Sequence, residues 1–237
     1  MFNPPDYSKS SNFLNPKLGP WTFVLYLHRR KILDSLLENL PHLKGTLLDV
    51  GCGHKPYRSL IDCKEYVGVD IASSPHLSEN FDKVFDGLHL PFADESFDSI
   101  ICTEVIEHCI DPDMLFKEMS RVLKMGGYAF ITAPMFIEHH EIPYDLRRLT
   151  YYGMKQLSEE NGFTVKAIED RGSIFCVLIS SIYMVLSQLI SKRPFSDIIL
   201  WIVFPFAYFL YKIDAVRKRD PPILSLGWQM LIAKNYN

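Results

Sequence analysis

The segment Leu47-Leu48-Asp49-Val50-Gly51-Cys52-Gly53 has the makings of a ligand-binding turn. An apolar run ends on two glycines, which reach backbone angles denied to other residues and leave space where a side chain would stand. In an open α/β sheet, ligands gather at the carboxyl ends of the strands, and this turn follows such an end. Asp70 stands near the end of the next apolar run, Tyr66–Ile71, where an acid accepts hydrogen bonds from the hydroxyls of a ribose. Pro56 takes the place of the third glycine of a G-x-G-x-x-G turn, the one that serves close packing beside a pyrophosphate. A nucleoside cofactor without a pyrophosphate is therefore favoured over NAD. Cys52 has no base beside it in sequence and reads as a small packing residue, not a nucleophile.

A second set of reactive side chains fills the polar stretch from Pro134 to Thr150: His139, His140, Glu141, Tyr144, Asp145, Arg147 and Arg148. Histidine suits proton transfer at neutral pH. If the acceptor is a hydroxyl, His140 is the first choice of base, with His139 and Glu141 beside it. Asp145 and Arg147 either pair to order the loop or, with Tyr144, contact the substrate. Arg148 could meet an anionic group such as a phosphate. His108, after Glu107, is either a packing residue or part of the substrate site.

These residues need a scaffold, and the chain supplies an alternation of strands and helices. Thr46–Val50, Tyr66–Ile71, Lys83–Phe85, Ser99–Thr103, Tyr128–Ala133, Phe163–Ile168 and Trp228–Ala233 read as strands. Trp21–Leu40, Met114–Leu123 and Thr150–Asn161 read as helices. Asp111 or Asp113 caps the second helix, and Gly126-Gly127 stops it. Gly162 closes the third. This order predicts a Rossmann-like α/β fold, a seven-strand, mostly parallel sheet with helices on both faces. Met1–Pro20 reads as a loose leader without a signal-peptide core, which predicts a cytoplasmic protein.

A chain of 237 residues, 48% hydrophobic and 22% charged, can bury one sizeable core. A net charge of −3 offers no nucleic-acid footprint. The five cysteines are odd in number and show no C-x-x-C spacing, so neither a disulfide framework nor a metal site is expected.

With Asp49–Gly53 and Asp70 stand three further motifs: Asp86-Gly87-Leu88 with Leu90-Pro91-Phe92, Phe97–His108, and Leu123-Lys124-Met125-Gly126-Gly127. From about Gly45 to Asn161 the chain resembles the class I S-adenosylmethionine (SAM)-dependent methyltransferases, especially the type 11 group. Met125 departs from the proline usual in the last motif. The resemblance implies that Asp49, Gly51, Cys52 and Gly53 line the methionine end of SAM. It implies that Asp70 and Ile71 hold the ribose and one adenine face, and that Asp86, Gly87 and Leu88 contact adenine. Glu104 would lie near the methionine or the substrate mouth. His140–Thr150 is similar to a variant of the form H-E-x-P-x-D-x-R-R-x-T seen in this group.

Ser173–Ile190 has no charged residue, and Ile198–Tyr211 is nearly as apolar, with Pro205 inside. Residues 173–226 thus read as a hydrophobic helical insertion in a methyltransferase domain of 21–172 and 227–237. The pair is an interfacial hairpin, a buried lid or dimer interface, or two membrane spans. Lys192 and Arg193 between the helices oppose spanning, and Arg217-Lys218-Arg219 suit an anionic inner leaflet, which favours peripheral contact through 173–219. The expected reaction is O-methylation of a lipophilic, lipid-linked or glycan-type acceptor. The alternatives are an NAD-dependent oxidoreductase or epimerase, for which Tyr151 and Lys155 have the literal spacing, and a non-catalytic SAM-binding module on a membrane.

Overall fold

The computed structural model describes residues 11–74, 81–189, 193–214 and 224–236. Its strands are β1 (Thr46–Val50), β2 (Glu65–Ile71), β3 (Lys83–Phe85), β4 (Phe97–Thr103), β5 (Leu123–Pro134), β6 (Phe163–Asp170) and β7 (Gly227–Lys234). They form one sheet in the order β3-β2-β1-β4-β5-β7-β6. The first five strands run parallel, and β7 lies antiparallel between β5 and β6. The helices are α1 (Ser11–Leu14), α2 (Phe23–Asn39), α3 (Pro112–Val122), α4 (Tyr151–Glu160), α5 (Ile174–Leu189) and α6 (Arg193–Asp214).

Central parallel strands are covered on both faces and so read as continuous apolar runs. Leu47, Leu48 and Val50 of β1 and Ile100, Ile101 and Cys102 of β4 are all fully buried. Leu115, Phe116 and Met119 of α3 cover one face. Ile32 and Leu36 of α2 cover the other, against Leu47, Ile101 and Phe130. The amino-terminal part of α2 carries a further cluster, in which Phe23 and Leu27 pack on α5 and α6. The Phe23 ring lies 5.3 Å from Phe204, 5.9 Å from Tyr183 and 6.2 Å from Tyr211.

Asp111, not Asp113, caps α3, its Oδ1 accepting from the Met114 amide at 3.0 Å. Thr150 precedes α4 as its cap, with Oγ1 accepting from the Gly153 amide. Gly126-Gly127 do not stop a helix. The α3 helix is already over at Val122, and both glycines lie in β5, which starts at Leu123. The strand needs them there: Gly126 has φ 71°, and a Cβ on Gly127 would come within 2.9 Å of the Asp98 carbonyl. Pro205 does not break the second apolar helix, because α6 runs through it. Among the described residues no helix is long and apolar enough to cross a membrane. Lys192 and Arg217-Lys218-Arg219, like most of the leader, lie outside the described residues.

Candidate active site

The glycine turn and Asp70 meet at the carboxyl edge of β1 and β2. Gly51 and Gly53 both hold positive φ, 68° and 46°. The amides of Gly51 and Cys52 donate to the Val69 carbonyl, which ties the turn across to β2. Asp70 is buried, and each of its carboxylate oxygens takes one backbone amide: Oδ2 from Gly53 and Oδ1 from Ile71, both at 2.8 Å. A carboxylate oxygen accepts about two hydrogen bonds. One acceptor site per oxygen is thus left for the vicinal hydroxyls of a ribose, and the residues fit a nucleoside cofactor. Gly87 stands next to Ile71, its missing Cβ 3.6 Å from Ile71 Cγ2. Asp86 Oδ1 accepts from the Leu88 and His89 amides at 2.8 and 2.6 Å, which shapes the turn beside that slot. Asp49 lies beneath the glycine turn and accepts from the Tyr66 hydroxyl. Burial pushes its carboxyl up to about 7, against that hydrogen bond. Burial also pushes the Cys52 thiol up, consistent with packing.

Glu104 directly follows β4 and holds a positive φ of 56°. Its carboxylate is held by Arg171, whose Nη1 and Nη2 donate at 2.8 and 2.6 Å, and by the Thr132 hydroxyl at 2.7 Å. The Arg171 side chain is wholly buried, against β7. Arg171, Thr132 and Tyr66 were not among the expected site residues. Only the charge of Arg171, just past the end of β6, hinted at one of them. His28 of α2 is also buried nearby, with neither ring nitrogen hydrogen-bonded. Burial, reinforced by the Arg171 charge, lowers its pKa to about 3 and keeps it neutral.

The loop after β5 carries the second set of polar side chains and lines a cavity. Asp145 pairs with Arg148, not Arg147: both guanidinium nitrogens of Arg148 reach it, Nη2 at 2.7 Å. That cation holds the Asp145 carboxyl well below the usual carboxylate range. Arg147 instead donates to the carbonyls of Cys109 and Ile110. Arg147 is drawn away by the Cys109 and Ile110 carbonyls, which leaves Asp145 to Arg148. Met135, Phe136, His139, Asp145, Arg147 and Arg148 are among the residues lining a cavity of about 340 Å³. The His139 side chain is 83% exposed and touches Asp145 at 3.3 Å. His140 instead turns toward Glu107 and His108, its ring 5.0 Å from that of His108. Glu141 lies 3.8 Å from His108, and Tyr144 is exposed, its carbonyl 3.1 Å from His108 Nδ1. Tyr151 packs on Trp228 and Lys155 pairs with Glu159, so their spacing reflects helix α4.

Residues 48–131 match the family model described as a methyltransferase domain. A methyltransferase of Streptomyces halstedii, GfsG, is 50% identical over 113 residues, 41% of each chain. The matches span between 38% and 48% of the first curated relatives' own length. A Haloferax volcanii methyltransferase solved with its Trm112 activator superposes with a TM-score of 0.57 at 17% identity, covering 90% of this chain and 94% of that one. A phosphoethanolamine N-methyltransferase of Haemonchus contortus, solved with SAM, gives 0.54 at 18% identity, covering 98% and 56%. At these identities the superpositions speak for the fold. Residues 48–131 thus match a methyltransferase domain, and the seven-strand sheet has the fold of the class I SAM-dependent methyltransferases.

Proposed function

We propose that the protein transfers a methyl group from SAM to an oxygen of a lipophilic or lipid-linked acceptor at a membrane surface. The carrying observation is the buried Asp70 carboxylate, fixed by two backbone amides and with acceptor capacity to spare. In this reading Asp70 holds the ribose hydroxyls, and Ile71 with Gly87 and Leu88 forms the adenine slot. Asp49, Gly51, Cys52 and Gly53 bound the methionine end, and Glu104, locked by Arg171, closes it. SAM supplies an already activated methyl group, so the protein's task is to hold the acceptor atom in line with it. The acceptor oxygen meets the cluster of Glu107, His108 and His140, with Glu141 beside it, and gives up its proton there. Tyr144 contacts the acceptor, while Asp145, Arg147 and Arg148 order the wall.

The acceptor class rests on the outer face of the helix pair. Ile198, Trp201, Ile202, Phe206 and Phe209 of α6 are 58–70% exposed, at three- and four-residue spacing that puts them on one stripe. Leu178 and Val185 of α5 are about half exposed. Such a stripe with a tryptophan suits the headgroup boundary of a membrane.

Calorimetric titration with SAM and S-adenosylhomocysteine tests the cofactor reading. Two hydrogen bonds to a charged acceptor are worth about 1.5–3 kcal/mol each, so Asp70→Ala should weaken binding at least ~100-fold. Absence of binding by folded wild type, or equal binding by the variant, would refute it.

A further inference from the structure

We propose that Glu107, His108 and His140 hold a divalent first-row transition-metal ion on the acceptor side of the site, with Glu141 as a fourth ligand. The inference rests on the reading of this cluster as the place where the acceptor oxygen is received.

Glu107 lies in the short 3-10 turn Ile106–His108 that follows β4. Its side chain is 1% exposed, and neither carboxylate oxygen has a hydrogen-bond partner. A buried carboxylate with no hydrogen bond is costly, and proteins satisfy such groups with a cation or a set of donors. Glu107 faces two imidazoles instead. His108 Nε2 lies 3.6 Å and His140 Nε2 3.8 Å from Oε1, beyond hydrogen-bond range.

The other nitrogen of each ring explains the arrangement. His108 Nδ1 is 3.1 Å from the Tyr144 carbonyl, and His140 Nδ1 is 3.3 Å from the Glu138 carbonyl. A carbonyl can only accept, so each Nδ1 carries the hydrogen. Each ring then turns its Nε2 toward the same carboxylate oxygen. A buried carboxylate facing two such nitrogens calls for a positive charge between them, and an ion held by all three supplies it. A backbone carbonyl fixing the distal nitrogen is also how proteins orient metal-bound histidines.

The dimensions fit. The three ligand atoms lie within 4.8 Å of one another. Metal–nitrogen bonds of ~2.0–2.1 Å place tetrahedral ligand atoms ~3.4 Å apart, so closure needs shifts of a few tenths of an ångström to about 1.4 Å. Glu141 Oε2, 3.8 Å from His108 Nε2, is placed to complete the set. Two imidazoles with carboxylates suit Zn²⁺ or Mn²⁺ better than Mg²⁺, which prefers an octahedron of oxygens. The odd, unpaired cysteines that argued against a zinc site carry no information about this one, which uses no sulfur.

A hydroxyl taken up in place of Glu141, or as a fifth ligand, loses its proton to solvent near neutral pH. The resulting oxygen anion forms the new bond to the methyl carbon as the bond from that carbon to sulfur breaks.

The test is titration of the chelator-stripped full chain with ZnCl₂ and with MnCl₂. Calorimetry and, for Mn²⁺, electron paramagnetic resonance follow binding, and S-adenosylhomocysteine affinity is measured on the same samples. One ion per chain is expected, with at least tenfold weaker binding in Glu107→Gln and in His140→Gln. The second variant serves if the first does not fold. Wild type that binds S-adenosylhomocysteine but neither ion overturns the proposal, as does ion binding that both folded variants retain. Ion binding without S-adenosylhomocysteine binding would instead overturn the methyltransferase reading and leave the metal site standing.

Discussion

An Arg171→Leu substitution would strip Glu104 of its counter-ion and expose how firmly the cofactor edge is held. Arg171 is wholly buried and donates two charge-assisted hydrogen bonds, at 2.6 and 2.8 Å. Without it Glu104 keeps the Thr132 hydroxyl at 2.7 Å. Removing one partner of a buried ion pair costs about 3–5 kcal/mol, because the remaining charge is stranded. The Glu104 side chain is 28% exposed, so water relieves part of the penalty, and the lower figure of ~3 kcal/mol applies. With a urea slope of ~2–3 kcal/mol/M, the unfolding midpoint should fall by ~1–1.5 M. The double variant Glu104→Gln, Arg171→Leu leaves no charge behind and should recover part of the loss. The pair also has a pH signature. Its Arg171 partner holds Glu104 below the usual 4.5 despite burial, so its stabilisation is present above that pH and is lost as pH falls through the lowered value. The gap between wild type and Arg171→Leu should therefore narrow in acid. A loss under ~1 kcal/mol at pH 7, or a double variant no better than the single, would refute the argument.

Gly51→Ala puts a Cβ 2.3 Å from Val105 Cγ2 at a φ of 68°. The left-handed angle and the clash together should cost about 2–4 kcal/mol, lowering the melting temperature by several degrees and S-adenosylhomocysteine affinity at least tenfold. An unchanged melting curve would show the turn to be more yielding than its geometry. His28 has a folded pKa of about 3 against 6.5 unfolded, so its contribution is present above pH 6.5 and falls as pH drops toward 3. His28→Leu should lose up to ~1.4 kcal/mol per pH unit of that slope, read by urea unfolding at stepped pH. Trp201→Ser with Phe206→Ser should reduce partition onto anionic phospholipid vesicles at least ~100-fold, given about 1.5–3 kcal/mol per buried large side chain. S-Adenosylhomocysteine affinity should stay unchanged. Equal flotation of both forms would count against the membrane reading.

What could be seen in the sequence was local. β1 is legible because an apolar run ends on Gly51, and the start of α3 because Asp111-Pro112 combines a cap with a residue suited to a first turn. The Gly126-Gly127 pair misleads because glycine marks both helix ends and close backbone approach, and only the proximity of Asp98 decides between them. The Glu104–Arg171 pair joins residues 67 positions apart, and periodicity carries no trace of it. Asp145 was paired with the wrong neighbour because both arginines are near in sequence and only the distant Cys109 and Ile110 carbonyls, which hold Arg147, decide for Arg148. The depth of Glu107 is likewise a product of packing, since the polar run Glu107-His108 gives no sign that one member is buried.

The antiparallel β7 has a consequence for how the molecule is put together. Among the described residues β6 pairs with β7 alone, and both α5 and α6 are synthesised between them. During translation β6 must therefore wait, with an open edge, while two apolar helices emerge. Only the arrival of β7 closes the gap to β5. Long-range strand insertion of this kind is slow, and waiting edges invite wrong partners. The same helices that offer an apolar face in the finished protein would be the segment most in need of shelter, by chaperone or by lipid, while the sheet is still incomplete.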